Sequence, residues 1–183
     1  MSIVYGIFML ISISHASYGQ NNDILLWQMN TPINIYTSAT GHEVKTVILQ
    51  SSMDDLWYCA EVIETSELRF KVLVSLYPDI SEEFYYSCEG WVDKTQCGVY
   101  SDVNIYKDGV GYMYLYPDTT LTDPILYRQN DDDGNLMLPQ VLTVLEFALK
   151  DGKTLAKVIF TYDDKIVVGW ISRFCINPYS TCN

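Results

Sequence analysis

The sequence predicts an all-β protein, and three observations support that fold class. Apolar and polar residues alternate along several segments, as in Thr143 to Phe147, and this two-residue period is typical of a half-buried strand. Fifteen tyrosines and four tryptophans are residue types that strands favour over helices. Short runs of this kind, divided by turn signals, indicate a barrel or a sandwich. The turn signals are Thr40-Gly41, Asp108-Gly109, Asp133-Gly134 and Asp151-Gly152.

Three segments of the chain occur twice in the same order. Their second copies lie 80, 86 and 79 residues further along, so the copies differ by loop insertions. Two divergent copies indicate a tandem pair, because a solenoid generally needs at least three repeats. The matched segments are Ile33 to Tyr36 with Met113 to Tyr116, Phe70 to Val74 with Ala156 to Phe160, and Gly90 to Lys94 with Gly169 to Arg173.

The same segments resemble bacterial SH3-like domains, in which an early apolar strand ends near a tyrosine and a late Gly-Trp-Val/Ile strand ends the barrel. The matching residues are Ile33 to Tyr36, Leu56 to Val62 and Gly90 to Val92 in the first copy, and Met113 to Tyr116, Val141 to Phe147 and Gly169 to Ile171 in the second. The resemblance implies two tandem small SH3-like β-barrels. Its domains commonly bind peptidoglycan peptides or other proteins.

The expected division of the chain is a signal peptide at 1–19, an N-terminal extension at 20–30, a first barrel at 31–103, a linker at 104–111 and a second barrel at 112–183. Val103 and Ile105 are alternatively the closing residues of the first barrel. The second copy departs from the family pattern, since Val144 and Leu145 stand where the first copy has Trp57. It also lacks the arginine that many family members carry near the first strand.

The late motif has a physical basis of its own. Gly90 and Gly169 permit a close backbone approach or a bulge in a strand. Trp91 and Trp170 each bring a large apolar area that can cover one end of a small barrel. We therefore assign structural roles to these four residues.

Export is expected from the N-terminal sequence. Ser2 to Ile13 are almost wholly apolar, and the small residues Ser17 and Gly19 lie where a signal peptidase site needs them. The stretch carries no Lys or Arg, unlike an ordinary signal peptide. The alternatives are a buried strand or a membrane anchor, but for an anchor about a dozen apolar residues fall short of the roughly 20 that span a bilayer. The expected location is periplasmic or secreted.

The net charge of −12 constrains the partners. Binding to nucleic acid or to anionic membranes depends on clustered Lys and Arg, so we expect neither nucleic-acid binding nor direct membrane binding. Complementary electrostatic fields steer association. A basic or neutral partner is therefore favoured.

Five cysteines follow the apolar N-terminus, and thiols in an oxidising compartment tend to pair. Cys175 and Cys182 flank the turn-forming Asn177-Pro178, which favours a disulfide between them. Two further pairings stay open at this point, Cys88 with Cys97 and Cys59 with Cys88. No CxxC pair or Cys/His cluster is present, so no zinc site, other metal or cofactor is expected.

The sequence offers little for catalysis. His42 is the one histidine after the leader, it lies in a turn-rich stretch, and no Gly-x-Ser-x-Gly elbow is present. The acidic run Asn130 to Asn135 lacks the glycine and glutamate spacing of a calcium loop. We expect no catalytic residue and no enzyme activity.

The number of aromatic residues exceeds what two small cores need. Tyrosine suits surfaces that are both apolar and wet, and a groove lined by such residues can receive a peptide or a glycan. The alternative is ordinary strand pairing on the barrel exterior. The candidate ligand-binding residues are Tyr36, Trp57, Tyr85, Tyr86 and Tyr116.

Two functions from different classes follow. The first is a non-catalytic envelope or secreted binding module that recognises peptidoglycan peptide or glycan, or another exported protein. The second is an acidic inhibitor or immunity-type protein that blocks a basic secreted enzyme. Inhibitor binding should weaken steeply with salt, whereas aromatic stacking should not.

Overall fold

A computed structural model describes residues 23–27, 32–48, 56–78 and 86–176 of the chain. The described residues form fourteen strands, one 3-10 turn at Lys94–Gln96 and no α-helix, so the predicted all-β class is confirmed. Within this part of the chain, no helix is long and apolar enough to cross a membrane. The predicted signal peptide at 1–19 lies outside the described residues. The strands are β1 Asp23–Leu26, β2 Ile33–Tyr36, β3 Val44–Ile48, β4 Leu56–Thr65, β5 Arg69–Pro78, β6 Tyr86–Asp93, β7 Cys97–Ser101, β8 Ile105–Lys107, β9 Val110–Leu115, β10 Ile125–Arg128, β11 Val141–Lys150, β12 Lys153–Tyr162, β13 Lys165–Ile171 and β14 Phe174–Cys175.

Most of these strands belong to one antiparallel sheet. Its order is β13-β12-β11-β7-β1-β4-β5-β6-β2-β3, with β14 paired to β7 beside that path. A second sheet has the order β10-β9-β8. Three pairs of consecutive strands are joined by tight turns of Asp or Gly with positive φ, at Asp108-Gly109, Asp151-Gly152 and Asp163-Asp164. The main sheet is an open path with β13 and β3 at its two ends.

The repeated segments occupy equivalent places in the structure. Within the main sheet, β5 is the central strand of the β4-β5-β6 meander, and β12 is the central strand of the β11-β12-β13 meander. The first strand pair of each set shifts register at an irregularity, between Val62 and Glu64 and between Val144 and Glu146. Alternate residues of the two central strands point into the core. These buried residues are Phe70, Val72 and Val74 in β5 and Ala156, Val158 and Phe160 in β12.

Strand β7 belongs to both copies. In the first copy β1 pairs with β4 and with β7. In the second copy β7 takes the place of β1, since it pairs with β11 and with β14. We call β1 to β7 the first unit and β7 together with β9 to β14 the second unit. The two units are therefore joined through a common strand.

The glycine and tryptophan of the late motif make the same contact in both units. Trp91 of β6 pairs with Tyr36, and Trp170 of β13 pairs with Tyr116. All four aromatic residues are largely buried or half-buried. A Cβ on Gly90 would lie 3.0 Å from the Tyr36 carbonyl oxygen, and a Cβ on Gly169 would lie 2.9 Å from that of Tyr116. Glycine is needed at both positions because the neighbouring backbone passes this closely.

The segments between the expected barrels have regular structure. Residues 104–111, expected as a linker, include β8 and the beginning of β9, which are joined by a turn at Asp108 and Gly109. The expected N-terminal extension includes β1, which lies in the middle of the main sheet between β4 and β7. Paired strands are therefore present within both segments.

We predict that Gly90→Ala and Gly169→Ala will each lower the free energy of unfolding by about 1–3 kcal/mol, the usual cost of overpacking. The added methyl group would collide with Ile35 in the first unit and with Leu115 in the second. Urea unfolding of the two variants measures the effect. A normal stability for either variant would contradict the equivalence of the two contacts.

We also predict a pH dependence centred on β1. Asp23 lies directly opposite Glu61 on β4, and burial, with Glu61 adding to it, raises the pKa of Asp23 to about 6. The folded state therefore holds a proton on Asp23 more tightly than the unfolded state, so stability falls as pH rises from about 4 to about 6. Asp23→Asn should raise the melting temperature at about pH 7.5 and have no effect near pH 4.

Thermal melts across that pH range test this prediction. Glu61→Gln is the matched control, because it removes only the smaller of the two causes and should stabilise the protein less at about pH 7.5. A lower melting temperature of Asp23→Asn at about pH 7.5 would show that the ionised carboxylate stabilises the fold.

Candidate functional site

The candidate site is the outer face of the small β10-β9-β8 sheet. Along β9 the side chains alternate, so that Met113 and Leu115 are fully buried in the core. Tyr112 and Tyr114 point to the opposite face, and Tyr116 continues the series just beyond the strand. All three tyrosines are half-buried. A row of three phenol rings therefore lies along one face of the second unit.

Neighbouring strands complete this face. Leu126 of β10 lies opposite Tyr114, and Arg128 lies opposite Tyr112. Ile105 of β8 lies opposite Tyr112 on its other side. Directly opposed residues of an antiparallel pair share a face of the sheet. We call this surface the tyrosine face, and its members are Ile105, Tyr112, Tyr114, Tyr116, Leu126 and Arg128.

The rings of the tyrosine face are held in place. Tyr114 and Tyr116 meet edge to face, with 6.2 Å between ring centroids. The backbone of Tyr116 exchanges two hydrogen bonds with Trp170, of 2.8 and 2.9 Å. Burial raises the pKa of the Tyr116 phenol, and a hydrogen bond with Ser172 partly offsets the shift. A prearranged aromatic surface loses little conformational entropy when a ligand binds.

Tyr127 belongs to the core instead. Its ring packs edge to face against Phe160 and Tyr162, with centroid distances of 5.5 and 4.9 Å. It lies opposite the buried Met113. Ordinary packing therefore accounts for Tyr127, while it does not account for the half-exposed row on β9.

The segment that forms the tyrosine face is rich in acidic residues. The segment 102–135 contains seven aspartates and two basic residues, a net charge of −5. One of the two, Arg128, is paired with Asp132. The face therefore presents aromatic rings in a negative surrounding, which favours cationic groups through both Coulomb attraction and cation–π contact. The aspartates are Asp102, Asp108, Asp118, Asp123, Asp131, Asp132 and Asp133.

The acidic loop after β10 uses its oxygens internally. The Asp131 carboxylate accepts hydrogen bonds from the backbone N–H groups of Asp133 and Asn135 and from the Asn135 amide, at 2.8–3.0 Å. These bonds lower the pKa of Asp131. Among the residues that the structure describes, no group of three or more His, Cys, Asp or Glu side chains could hold a metal ion.

The first unit presents a different surface at the equivalent tyrosine. The guanidinium of Arg69 lies 3.5 Å from the ring centroid of Tyr36. Arg69 is buried and also donates to Asp93 at 2.7 Å and to the carbonyl oxygens of Ser38 and Gly41 at 3.0 and 2.6 Å. One face of Tyr36 is thus covered by the protein itself, and the β2–β3 loop is fixed by the same side chain.

In the second unit, Leu155 and Ser172 stand where the first unit has Arg69 and Asp93. Leu155 precedes Ala156 as Arg69 precedes Phe70, and it is fully buried. Ser172 follows Ile171 as Asp93 follows Val92, and it bonds to Tyr116. An ion pair in one unit is therefore replaced by apolar packing and a neutral hydrogen bond in the other.

The remaining predicted ligand residues are not brought into this site by any described contact. Tyr85 lies outside the described residues, as do the side chains of Trp57 and Tyr86. Tyr36 and Tyr116 lie on different units, each against its own tryptophan. Of the five candidates, Tyr116 is the one that the structure places on the tyrosine face.

The cysteine pairings have mixed outcomes. Cys88 and Cys97 are unbridged thiols, so a bridge between them is wrong, and so is Cys59 with Cys88. Strand β5 separates those two cysteines, and they point to opposite faces because Cys59 lies opposite Ser75 whereas Cys88 lies opposite Val74. Cys175 is buried and Cys182 lies outside the described residues, so their disulfide stays a prediction.

The buried Cys97 thiol is poorly suited to nucleophilic chemistry. Burial raises the pKa of Cys97 well above its usual range, which keeps it protonated and unreactive. The Cys97 thiol contacts the carbonyl oxygen of Asp93 at 3.5 Å. His42 is exposed in the loop between β2 and β3.

Sequence reasoning missed two groups of residues. Leu126, Arg128 and Ile105 belong to the tyrosine face through strand pairing, and the alternation in β9 and β10 is the signal that could have found them. Arg69 carried a signal as well, since it is an arginine beside the repeated Phe70 to Val74 segment.

We predict that Asp93→Ser will lower the free energy of unfolding by about 3 kcal/mol, because it leaves the buried Arg69 guanidinium without its carboxylate. Adding Arg69→Leu, which recreates the residues of the second unit, should restore at least about 1 kcal/mol. Urea unfolding of the single and double variants measures this coupling. Lys71→Leu is the control, since its pair with Glu89 is partly exposed and its loss should change the free energy of unfolding much less than that of Arg69 and Asp93. Additive losses in the double variant would refute the prediction.

Comparison of the chain with models of protein families, with curated proteins and with solved structures found no match.

Proposed function

We propose that the protein is a non-catalytic binding module of the cell envelope, periplasmic or secreted, that uses the tyrosine face to hold its partner. The observation that carries this proposal is the half-exposed row Tyr112, Tyr114 and Tyr116, which lies outside the core. Tyrosine offers apolar area together with a hydroxyl group, and it is enriched at binding surfaces for that reason.

We further propose that each unit is SH3-like. Support comes from the common order of strands in the two units and from the Gly-Trp strand that meets the early tyrosine strand in both. In this interpretation, the Arg69 cluster fixes the β2–β3 loop of the first unit. The second unit carries the ligand surface.

The proposed partner is peptidoglycan peptide or glycan, or another exported protein. Sugar rings and peptide side chains both stack on tyrosine, and the sheet below keeps the rings fixed. The negative surrounding favours a partner segment that carries amino groups or guanidinium groups.

The second candidate function is the acidic inhibitor or immunity-type protein. The net charge of −5 over residues 102–135 favours it, because a basic enzyme would be attracted to this region. Salt separates the two functions, since rim charges are screened at high ionic strength.

We predict that the full chain from Gln20 will be retained on purified peptidoglycan sacculi at both low and high salt. Tyr114→Ala should weaken retention about ten-fold, which corresponds to the loss of about 1.4 kcal/mol of stacking. The assay is a pulldown with quantified bound and free protein.

Tyr106→Ala is the matched control. Tyr106 is exposed on β8 but lies opposite Gly111, on the other face of the small sheet, so its removal should leave retention unchanged. No retention at either salt would refute wall binding. Retention that occurs only at low salt, and that Tyr114→Ala does not weaken, would favour the inhibitor function.

A further inference from the structure

The free edge of β13 is the strongest feature outside the tyrosine face. The Trp170 N–H donates to the Tyr116 carbonyl oxygen, and the Trp170 carbonyl oxygen accepts from the Tyr116 N–H, on the side away from β12. In an antiparallel strand these groups alternate sides from one residue to the next. The N–H and C=O groups of Val168 and Ile166 therefore point outward as well. Over residues 86–176, no described backbone group pairs with them.

The side chains at this edge are apolar and exposed. Ile166 is 76% exposed and Val168 is 47% exposed. Val168 lies opposite Ile159 of β12 on the same face. Exposed apolar side chains beside unpaired strand edges are a template for another strand, and proteins normally protect them.

The first unit protects its equivalent edge. Glu89 of β6 corresponds to Val168, and its carbonyl oxygen accepts a hydrogen bond of 2.7 Å from the Lys45 ammonium group of β3. The Glu89 carboxylate is charged and pairs with Lys71 at 2.9 Å. A lysine and a charged side chain are two of the devices that block strand addition.

At the positions equivalent to Lys45 and Glu89, the second unit lacks both devices, and the charged residue of its edge is Lys165, beside the turn. Valine replaces Glu89, isoleucine replaces Ser87, and β10, the strand equivalent to β3, contains no lysine. The two units share their architecture, so the difference does not follow from the fold. The edge of β6 is therefore protected against strand addition, whereas the edge of β13 is not.

We propose that the edge of β13, Lys165 to Val168, accepts an extended segment of a partner protein as an added β-strand. This site is separate from the tyrosine face, because it binds through backbone hydrogen bonds and does not depend on the proposed function. The added strand would continue the line of β9, since Tyr116 already occupies the edge at Trp170. Such strand addition gives affinity through the main chain and specificity through alternate side chains.

The charges around the edge define the partner segment. Asp163 and Asp164 form the turn at the open end of the edge, and Lys165 follows them, so this end carries a net charge of −1. The whole chain carries −12. A segment that alternates apolar residues with Lys or Arg would bury its apolar side chains beside Ile166 and Val168 and bring its cations to the aspartates.

A second copy of this chain fits the edge less well. Two copies that each carry −12 repel one another. The edge is also only four residues long between Tyr116 and the turn, which buries far less than the roughly 1,200 Å² of a stable protein–protein interface. A flexible, basic peptide segment meets neither obstacle.

The experiment measures binding of a labelled peptide of about seven alternating Val and Lys residues to the full chain from Gln20 by fluorescence anisotropy. The comparison peptide has the same sequence with alternate backbone amides N-methylated, which removes donors on one edge and keeps the charge. We expect at least a ten-fold weaker affinity for the methylated peptide. Equal affinities, or no binding of the parent peptide, would overturn the proposal.

Val168→Pro tests the same edge from the protein side. It removes an outward N–H that makes no bond to β12, and proline is tolerated at such edge positions. We expect a similar loss of peptide affinity, whereas the control Val168→Ile, which keeps the N–H group, should bind normally. Tyr106→Ala, which removes an exposed tyrosine off the tyrosine face, should also bind the peptide normally. The wall-binding assay uses sacculi and not this peptide, so failure here and failure there remain distinguishable.

Sedimentation of the protein alone completes the test. A monomer is expected at the concentrations used for peptide binding. A concentration-dependent dimer that Val168→Pro abolishes would make a second copy the occupant of the edge and would overturn the proposal of a partner segment.

Discussion

The rest of the structure depends on β7 and its pairing on both edges. One edge of β7 pairs with β1 and, further along, with β14, while the other edge pairs with β11. Cys97 and Val99 are fully buried. Gly98 lies between them at a point where a Cβ would be 2.7 Å from the carbonyl oxygen of Leu142. This one strand therefore fixes the register of both units at once.

The two units joined by β7 share their strand order but differ in the side chains that they expose. The first unit places Arg69 against Tyr36 and Lys45 against the edge of β6, so its aromatic ring and its strand edge are both covered by its own side chains. The second unit has Leu155, a row of tyrosines and an uncovered β13 edge. The two units therefore differ in how much aromatic side-chain surface and strand edge they leave exposed.

Much of the fold could be predicted from the sequence, because alternation and turn residues are local signals. The repeated segments become β2 and β9, β5 and β12, and β6 and β13, and the glycines meet the close approach expected of them. The candidate site was harder to predict from the sequence. Tyr116 was a candidate, but its neighbours Leu126 and Arg128 come from another strand, and only register brings them together.

The shared strand could not be predicted, because the same residues satisfy two patterns. Cys97 to Ser101 form an ordinary closing strand for the first copy, and nothing local shows that they also begin the second. A linker was expected between two complete barrels, whereas the short β8–β9 hairpin follows β7 directly. The prediction of a bridge between Cys59 and Cys88 failed for a related reason. The face of the sheet to which each cysteine points depends on its register with β5, which lies between them.

Sharing β7 also bears on how the protein can be divided. Two independent domains can be produced separately, because each has its own first and last strand. Here one strand is the end of the first unit and the beginning of the second, so a cut on either side of β7 leaves one unit without a strand. We therefore expect the two units to fold and unfold together.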